Sequence, residues 1–179
     1  MQDTENTFGT VSRINHALTA VVLIALLAIG LYFEDLPRGD EKVYWLKLHI
    51  SIGATAWLFL LFRLYWRFKQ GFPMPFAQAR VLQRVTHAVH GLLLLGIAIL
   101  IVTGPIAVWT DGRAIGVFGL ISIPSPTGES HDLHTIFGGI HGFVANTMIG
   151  LIVIHVLGAI KHLIKDRKEF LGRMIGKRS

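Results

Sequence analysis

Nine histidines stand at positions 16, 49, 87, 90, 131, 134, 141, 155 and 162, several of them in otherwise apolar sequence. The stretch HGFVANTMIGLIVIH, residues 141–155, has one at each end. Fourteen residues of α-helix rise about 21 Å and return the second ring to within roughly 40° of the first. His141 and His155 therefore share one stripe of a helix at two depths. A polar ring buried without a partner is costly, and ionisable groups inside a membrane mark function by default. Imidazoles set in this way can ligate a metal or carry protons.

Four stretches are long and apolar enough to position them across a bilayer, which takes roughly 20 residues. They run over about 14–33, 43–66, 87–109 and 136–160. In the second, Lys47 and Arg63 flank a short uncharged centre and must snorkel or face inward. The first is preceded by acids and is followed by no small-residue cleavage site, so it reads as a span rather than a cleaved signal.

Charge orients the spans. Arg63, Arg67, Lys69, Arg80 and Arg84 lie between spans two and three with no acid among them, and Lys161, Lys165, Arg167, Lys168, Arg173, Lys177 and Arg178 follow span four. The other two connections hold Arg38, Lys42, Lys47 and Arg113 among seven acids, Glu34, Asp35, Asp40, Glu41, Asp111, Glu129 and Asp132. The positive-inside rule then puts both termini in the cytoplasm. The expectation is an all-α transmembrane four-helix bundle: one integral-membrane domain over 1–179 in the bacterial inner membrane, with a basic tail over 161–179.

Orientation gives each histidine a depth. His16 opens span one from inside and His49 opens span two from outside. His141 is outer and His155 inner. Two pairs result, His49 with His141 and His16 with His155, each able to hold a metal between facing imidazoles. In hydrocarbon the natural occupant of such a pair is haem, which buries its own apolar ring. Two haem b groups would then stack across the membrane, with iron held by His49 and His141 outside and by His16 and His155 inside. Gly53 and the glycines of span four (138, 142, 150 and 158) supply room for a macrocycle, or equally for close helix packing.

His90 lies at the same depth as His16 and competes with it for His155. His16 is preferred, with the Asn15 amide expected to orient its ring. Arg63, fourteen residues after His49, falls at the inner level as a partner for haem propionates. His162 continues the His155 stripe. With His90, Arg80 and Arg84 it forms a basic, protonatable layer that suits a quinone headgroup. His87, His131 and His134 read as interfacial. HDLH at 131–134 lacks the further ligands that a zinc site needs.

Composition excludes much else. The 179 residues are 52% hydrophobic and 16% charged, which is not a soluble domain. No cysteine is present, which removes thioether-linked haem, cysteine-ligated clusters and disulfides. The net charge of +6 belongs to membrane-flanking residues, so lipid is a partner and nucleic acid is not. The 110–135 connection is rich in Gly, Pro and Ser yet contains VFGLISI, and is expected to pack on the outer bilayer face.

The order RINHAL, LKLHISIG, HAVHG and IHGFVANTMIGLIVIH, followed by a basic end, resembles the bacterial cytochrome b561 family from about residue 10 onward. The resemblance implies a four-helix bundle with two b haems and His16, His49, His141 and His155 as axial ligands. It also implies oxidoreductase activity of the superoxide oxidase kind, passing electrons from a periplasmic one-electron donor to ubiquinone. The same four-histidine layout occurs in membrane-anchor cytochromes of hydrogenases and formate dehydrogenases. The alternative is therefore an anchor that links a periplasmic redox protein to the quinone pool. An acidic outer face repels superoxide rather than steering it, so the donor stays open between the two.

Overall fold

The computed structural model describes residues 3, 4, 7–71, 79–165, 167 and 171. Part of the connection between spans two and three (72–78) and most of the basic tail lie outside the described residues. Four long helices are present, α1 (Thr10–Asp35), α2 (Asp40–Gln70), α3 (Arg80–Thr110) and α4 (His131–Lys165), all apolar enough to cross a membrane. Between α3 and α4 lies a small antiparallel hairpin, β1 (Ile115–Val117) and β2 (Ile121–Ile123).

Each helix outruns the span expected from hydropathy. Apolar sequence marks only the hydrocarbon-crossing part, while helical hydrogen bonding continues until the backbone is broken. α1 stops at Leu36, held extended (ψ 141°) by the Pro37 that follows it. α2 ends where Gly71 takes a φ of 67° and returns its N–H to the Arg67 carbonyl at 3.0 Å. α3 runs to Thr110, and Gly112 turns the chain at φ 74°. Two expectations are corrected as a result. Arg80 and Arg84 sit on the first turns of α3 rather than in a loop, and HDLH forms the first turn of α4.

The hairpin pairs Ile115 with Ile123 and Val117 with Ile121 across a turn at Phe118 and Gly119, both at positive φ. It is tied to α2 through Ser51, whose hydroxyl donates to the Gly116 carbonyl at 3.0 Å and accepts from the Phe118 N–H at 3.1 Å. That anchorage fixes the hairpin two residues from His49.

α1 packs along α2, α4 packs along α3, and α2 meets α3, whereas α4 makes no comparably close approach to α1 or α2. The core is a mid-depth cluster of Leu23, Ala56, Leu60, Ile97, Ile101 and Met148, drawn from all four helices. Met148 seats so closely on α3 that a Cβ at Gly96 would overlap its sulfur. Trp57 on α2 donates its indole N–H to the Ile101 carbonyl at 2.8 Å. That carbonyl is the one Pro105 cannot bond, because proline has no N–H to return four residues back.

At the end of the bundle away from the hairpin, the first described residues fold over α2. Asp3 accepts from the Arg67 guanidinium at 3.1 Å, and both side chains are almost fully buried. Arg67 also donates to the Gly71 carbonyl and lies over the Phe8 ring. The adjacent Trp66 donates its indole N–H to buried Ser12 at 2.8 Å.

Candidate functional site

The four helices carry one seven-residue ladder each, and the ladders are in step. On α1 it is His16, Leu23 and Gly30, and on α2 it is His49, Ala56 and Arg63. On α3 it is His90, Ile97 and Gly104, and on α4 it is His141, Met148 and His155. Because seven residues are nearly two full turns, each ladder keeps to one helix face. The rungs assemble into three levels. The middle one is the apolar core just described, which separates two polar levels.

Nearest the hairpin, His49 and His141 face one another with ring centroids 6.4 Å apart and planes at 83°. Both are seated against bare backbone. A Cβ at Gly30 would lie 3.6 Å from His49 Cε1, and one at Gly104 only 3.2 Å from His141 Cε1. His141 Nδ1 meets the Thr103 hydroxyl at 3.0 Å. Phe33 closes on His49 edge to face at 5.5 Å.

At the distal level, His155 stands between two rings, His16 at 5.9 Å and His90 at 5.2 Å. Arg63 reaches into this level from α2, with one guanidinium nitrogen 3.3 Å from His16 Nδ1 and another 3.4 Å from the Asn15 side-chain oxygen. The expected partnership of Asn15 with the His16 ring is thus replaced. Asn15 receives the guanidinium, and the guanidinium meets the ring. Among the described residues no carboxylate pairs with Arg63, and its buried Nε has no hydrogen-bond partner.

The other sequence-predicted residues are placed less centrally. Arg80, Arg84 and His87 are exposed on the first turns of α3, and His162 lies two turns beyond His155 on α4. Of the predicted quinone residues, only His90 is brought into ring contact with His155. At the hairpin end, His134 bonds the Ala107 carbonyl at 2.9 Å, and Arg113 pairs with Asp111 at 2.8 Å. HDLH is the first turn of α4, and its His134 is bonded to the Ala107 carbonyl of α3.

Facing imidazoles at two levels within long apolar helices are the arrangement of a membrane b-type cytochrome. The chain belongs to the prokaryotic cytochrome b561 family, whose model matches residues 7–177. It is also 30% identical over 182 residues to cytochrome b561 homolog 2 of Escherichia coli (strain K12), a match covering 99% of this chain and 95% of that protein. It is accordingly a multi-pass bacterial membrane protein that binds haem b and transfers electrons.

The residues present fit that group. Two imidazoles sharing one metal from opposite sides, at metal–nitrogen distances near 2 Å, have centroids roughly 6 Å apart. The His49–His141 and His16–His155 separations meet this, and His90–His155 is short of it. The glycine seats of His49 and His141, and the distance α4 keeps from α1 and α2, leave side chains rather than backbones to span the cleft. Thr103, Gly30, Gly104 and Trp57 were not legible as site residues. In an apolar helix, threonine, glycine and tryptophan carry no signal that separates a site from ordinary packing.

Proposed function

We propose that the chain holds two b haems and passes single electrons from a periplasmic donor, superoxide or a redox protein, to ubiquinone. The observation that carries this reading is the pair of ring separations, 6.4 and 5.9 Å, at two levels fourteen residues apart on α4. In this reading His49 and His141 would hold the outer haem, and His16 and His155 the inner one. Both termini are cytoplasmic, in the inner membrane. Bound haem would supply one-electron carriage at each level, and the protein's own residues do the rest.

Arg63 is the residue whose role changes most between the bare and ligated forms. A guanidinium only donates, so in the observed contact His16 Nδ1 accepts and the ring proton sits on Nε2. Ligation through Nε2 requires the opposite tautomer, which turns the guanidinium away from Nδ1. A buried cation without a carboxylate partner is then available to a propionate, in the bidentate manner arginine uses for carboxylates. His90, with His162, Arg80 and Arg84 toward the cytoplasm, lines the side from which protons reach the quinone. Two electrons from two one-electron oxidations and two protons convert one quinone to quinol.

The test is the isolated chain in detergent or nanodiscs, supplied with a superoxide source and a short-chain ubiquinone. Quinol formation that stops with added superoxide dismutase supports the reading; its absence with both haems present removes superoxide as donor. The second reading, an anchor for a periplasmic redox subunit, is favoured by the hairpin, whose tip residues Phe118, Leu120 and Ile121 are exposed. A redox protein co-purifying from native membranes, and lost when the hairpin tip is made polar, would establish it.

A further inference from the structure

The Thr103 hydroxyl is almost fully buried on α3 and sits between two polar atoms, the Ile99 carbonyl at 2.8 Å and His141 Nδ1 at 3.0 Å. A hydroxyl has one proton to give and two lone pairs. The carbonyl can only accept, so one arrangement satisfies both contacts. Thr103 donates to Ile99, and His141 Nδ1–H donates to Thr103. A neutral imidazole with its proton on Nδ1 presents the Nε2 lone pair, which is the form that binds a metal. A hydrogen bond from Nδ1–H also makes the ring a stronger ligand.

We propose that Thr103 is a positioning residue that holds His141 in its iron-binding tautomer and sets the potential of the haem at the hairpin level. The proposal rests on the di-haem reading above. Two neighbours in the sequence TGP complete the device. Gly104 provides the seat, since a Cβ there would lie 3.2 Å from His141 Cε1 and 3.5 Å from Nδ1, forcing the ring to shift. Pro105 frees the Ile101 carbonyl, and Trp57 takes it at 2.8 Å, which fastens this stretch of α3 to α2, the helix that carries His49. The hydroxyl, the seat and the fastening therefore act on one ring.

Backbone bonding by threonine does not itself explain the contact. Thr19, Thr55, Thr110 and Thr147 all donate to the carbonyl four residues back, and none of their hydroxyls meets a ring among the described residues. Nor is the arrangement general to the histidines. At the distal level the group facing His16 Nδ1 is Arg63, a donor, which selects the other tautomer. His141 is thus set for ligation beforehand, and His16 is not.

The experiment compares wild type, Thr103→Val and Thr103→Ser as haem-loaded, full-length protein. Haem content is read by pyridine haemochrome and both midpoint potentials by spectroelectrochemical titration, with His49→Ala identifying the hairpin-level component. Thr103→Val should keep two haems and shift only the hairpin-level one toward the reduced form. The expected shift is threefold to tenfold in the reduction equilibrium constant, where tenfold is about 59 mV for a one-electron couple. Thr103→Ser should match wild type. If valine costs the haem altogether, serine decides: two haems at wild-type potentials uphold the hydroxyl's role, and loss in serine as well overturns it. Two haems with unmoved potentials in the valine variant, or an equal shift in serine, also overturn the proposal while leaving the di-haem reading intact. Fewer than two haems in wild type would end both.

Discussion

At the scale of single residues, the account turns on which rings share a metal. His155 has two neighbours, and the shorter contact is not the better one. At 5.2 Å His90 is too close for a metal between the centroids, whereas His16 at 5.9 Å leaves the roughly 6 Å that two metal–nitrogen bonds require. His16→Ala and His155→Ala should therefore each abolish the same component in a reduced-minus-oxidised spectrum, while His90→Ala keeps both components and at most slows quinone reduction. Loss of a haem in the His90 variant with full content in the His16 variant would reverse the assignment. Gly104 gives a second prediction. Replacement by valine puts branched carbon into space already within van der Waals range of the His141 ring. The hairpin-level component should be lost or displaced in the spectrum and the other left unchanged; loss of both would mean that the substitution disrupts the bundle as a whole. The histidines themselves were legible because fourteen-residue spacing and opposite helix directions set their depth. Arg63 was legible as a cation at that depth, but not its contact with His16, which joins residues 47 positions apart.

At the scale of elements, a proline inside a membrane helix, as Pro105 is in α3, has to be compensated. No water is present in hydrocarbon to donate to the freed carbonyl, so a neighbouring helix must provide the donor. Trp57 does so from α2. Trp57→Phe keeps an aromatic ring but removes the N–H together with part of the indole, and leaving the Ile101 carbonyl unpaired should lower stability by about 1–3 kcal/mol. The midpoint of thermal haem release measures it, and an unchanged midpoint would show that Ile101 finds another partner. The spans were read correctly in number and order, because long apolar runs are a strong signal. Their ends were not, because hydropathy reports the bilayer and not the breakers at Pro37, Gly71 and Gly112. Three-residue strands in a Gly- and Pro-rich connection leave almost no pattern to read, and the Asp3–Arg67 pair joins residues 64 apart, so neither feature could be foreseen.

At the scale of the whole molecule, three levels in register on four helices divide the bundle into two histidine sites with an apolar layer between them. The charges are divided as well. The seven acids of the two connections on the hairpin side, Asp111, Glu129, Asp132 and those between Glu34 and Glu41, outnumber Arg38, Lys42, Lys47 and Arg113 beside them, whereas Arg63, Arg67, Lys69, Arg80 and Arg84 belong to the other end. Under the proposed orientation an anionic donor approaches an acidic face, so electron entry from superoxide should quicken as salt screens the repulsion. Stopped-flow reduction at increasing ionic strength checks this, and a rate that falls with salt would point to a cationic docking patch instead. The central claim is that two haems occupy two levels, each held by a facing pair of histidines. Haem content per chain, measured by pyridine haemochrome on wild type, His49→Ala and His155→Ala, tests it most directly. Wild type should contain two haems and each variant one, with different spectral components remaining. A single haem in wild type, or the same component missing from both variants, would contradict it.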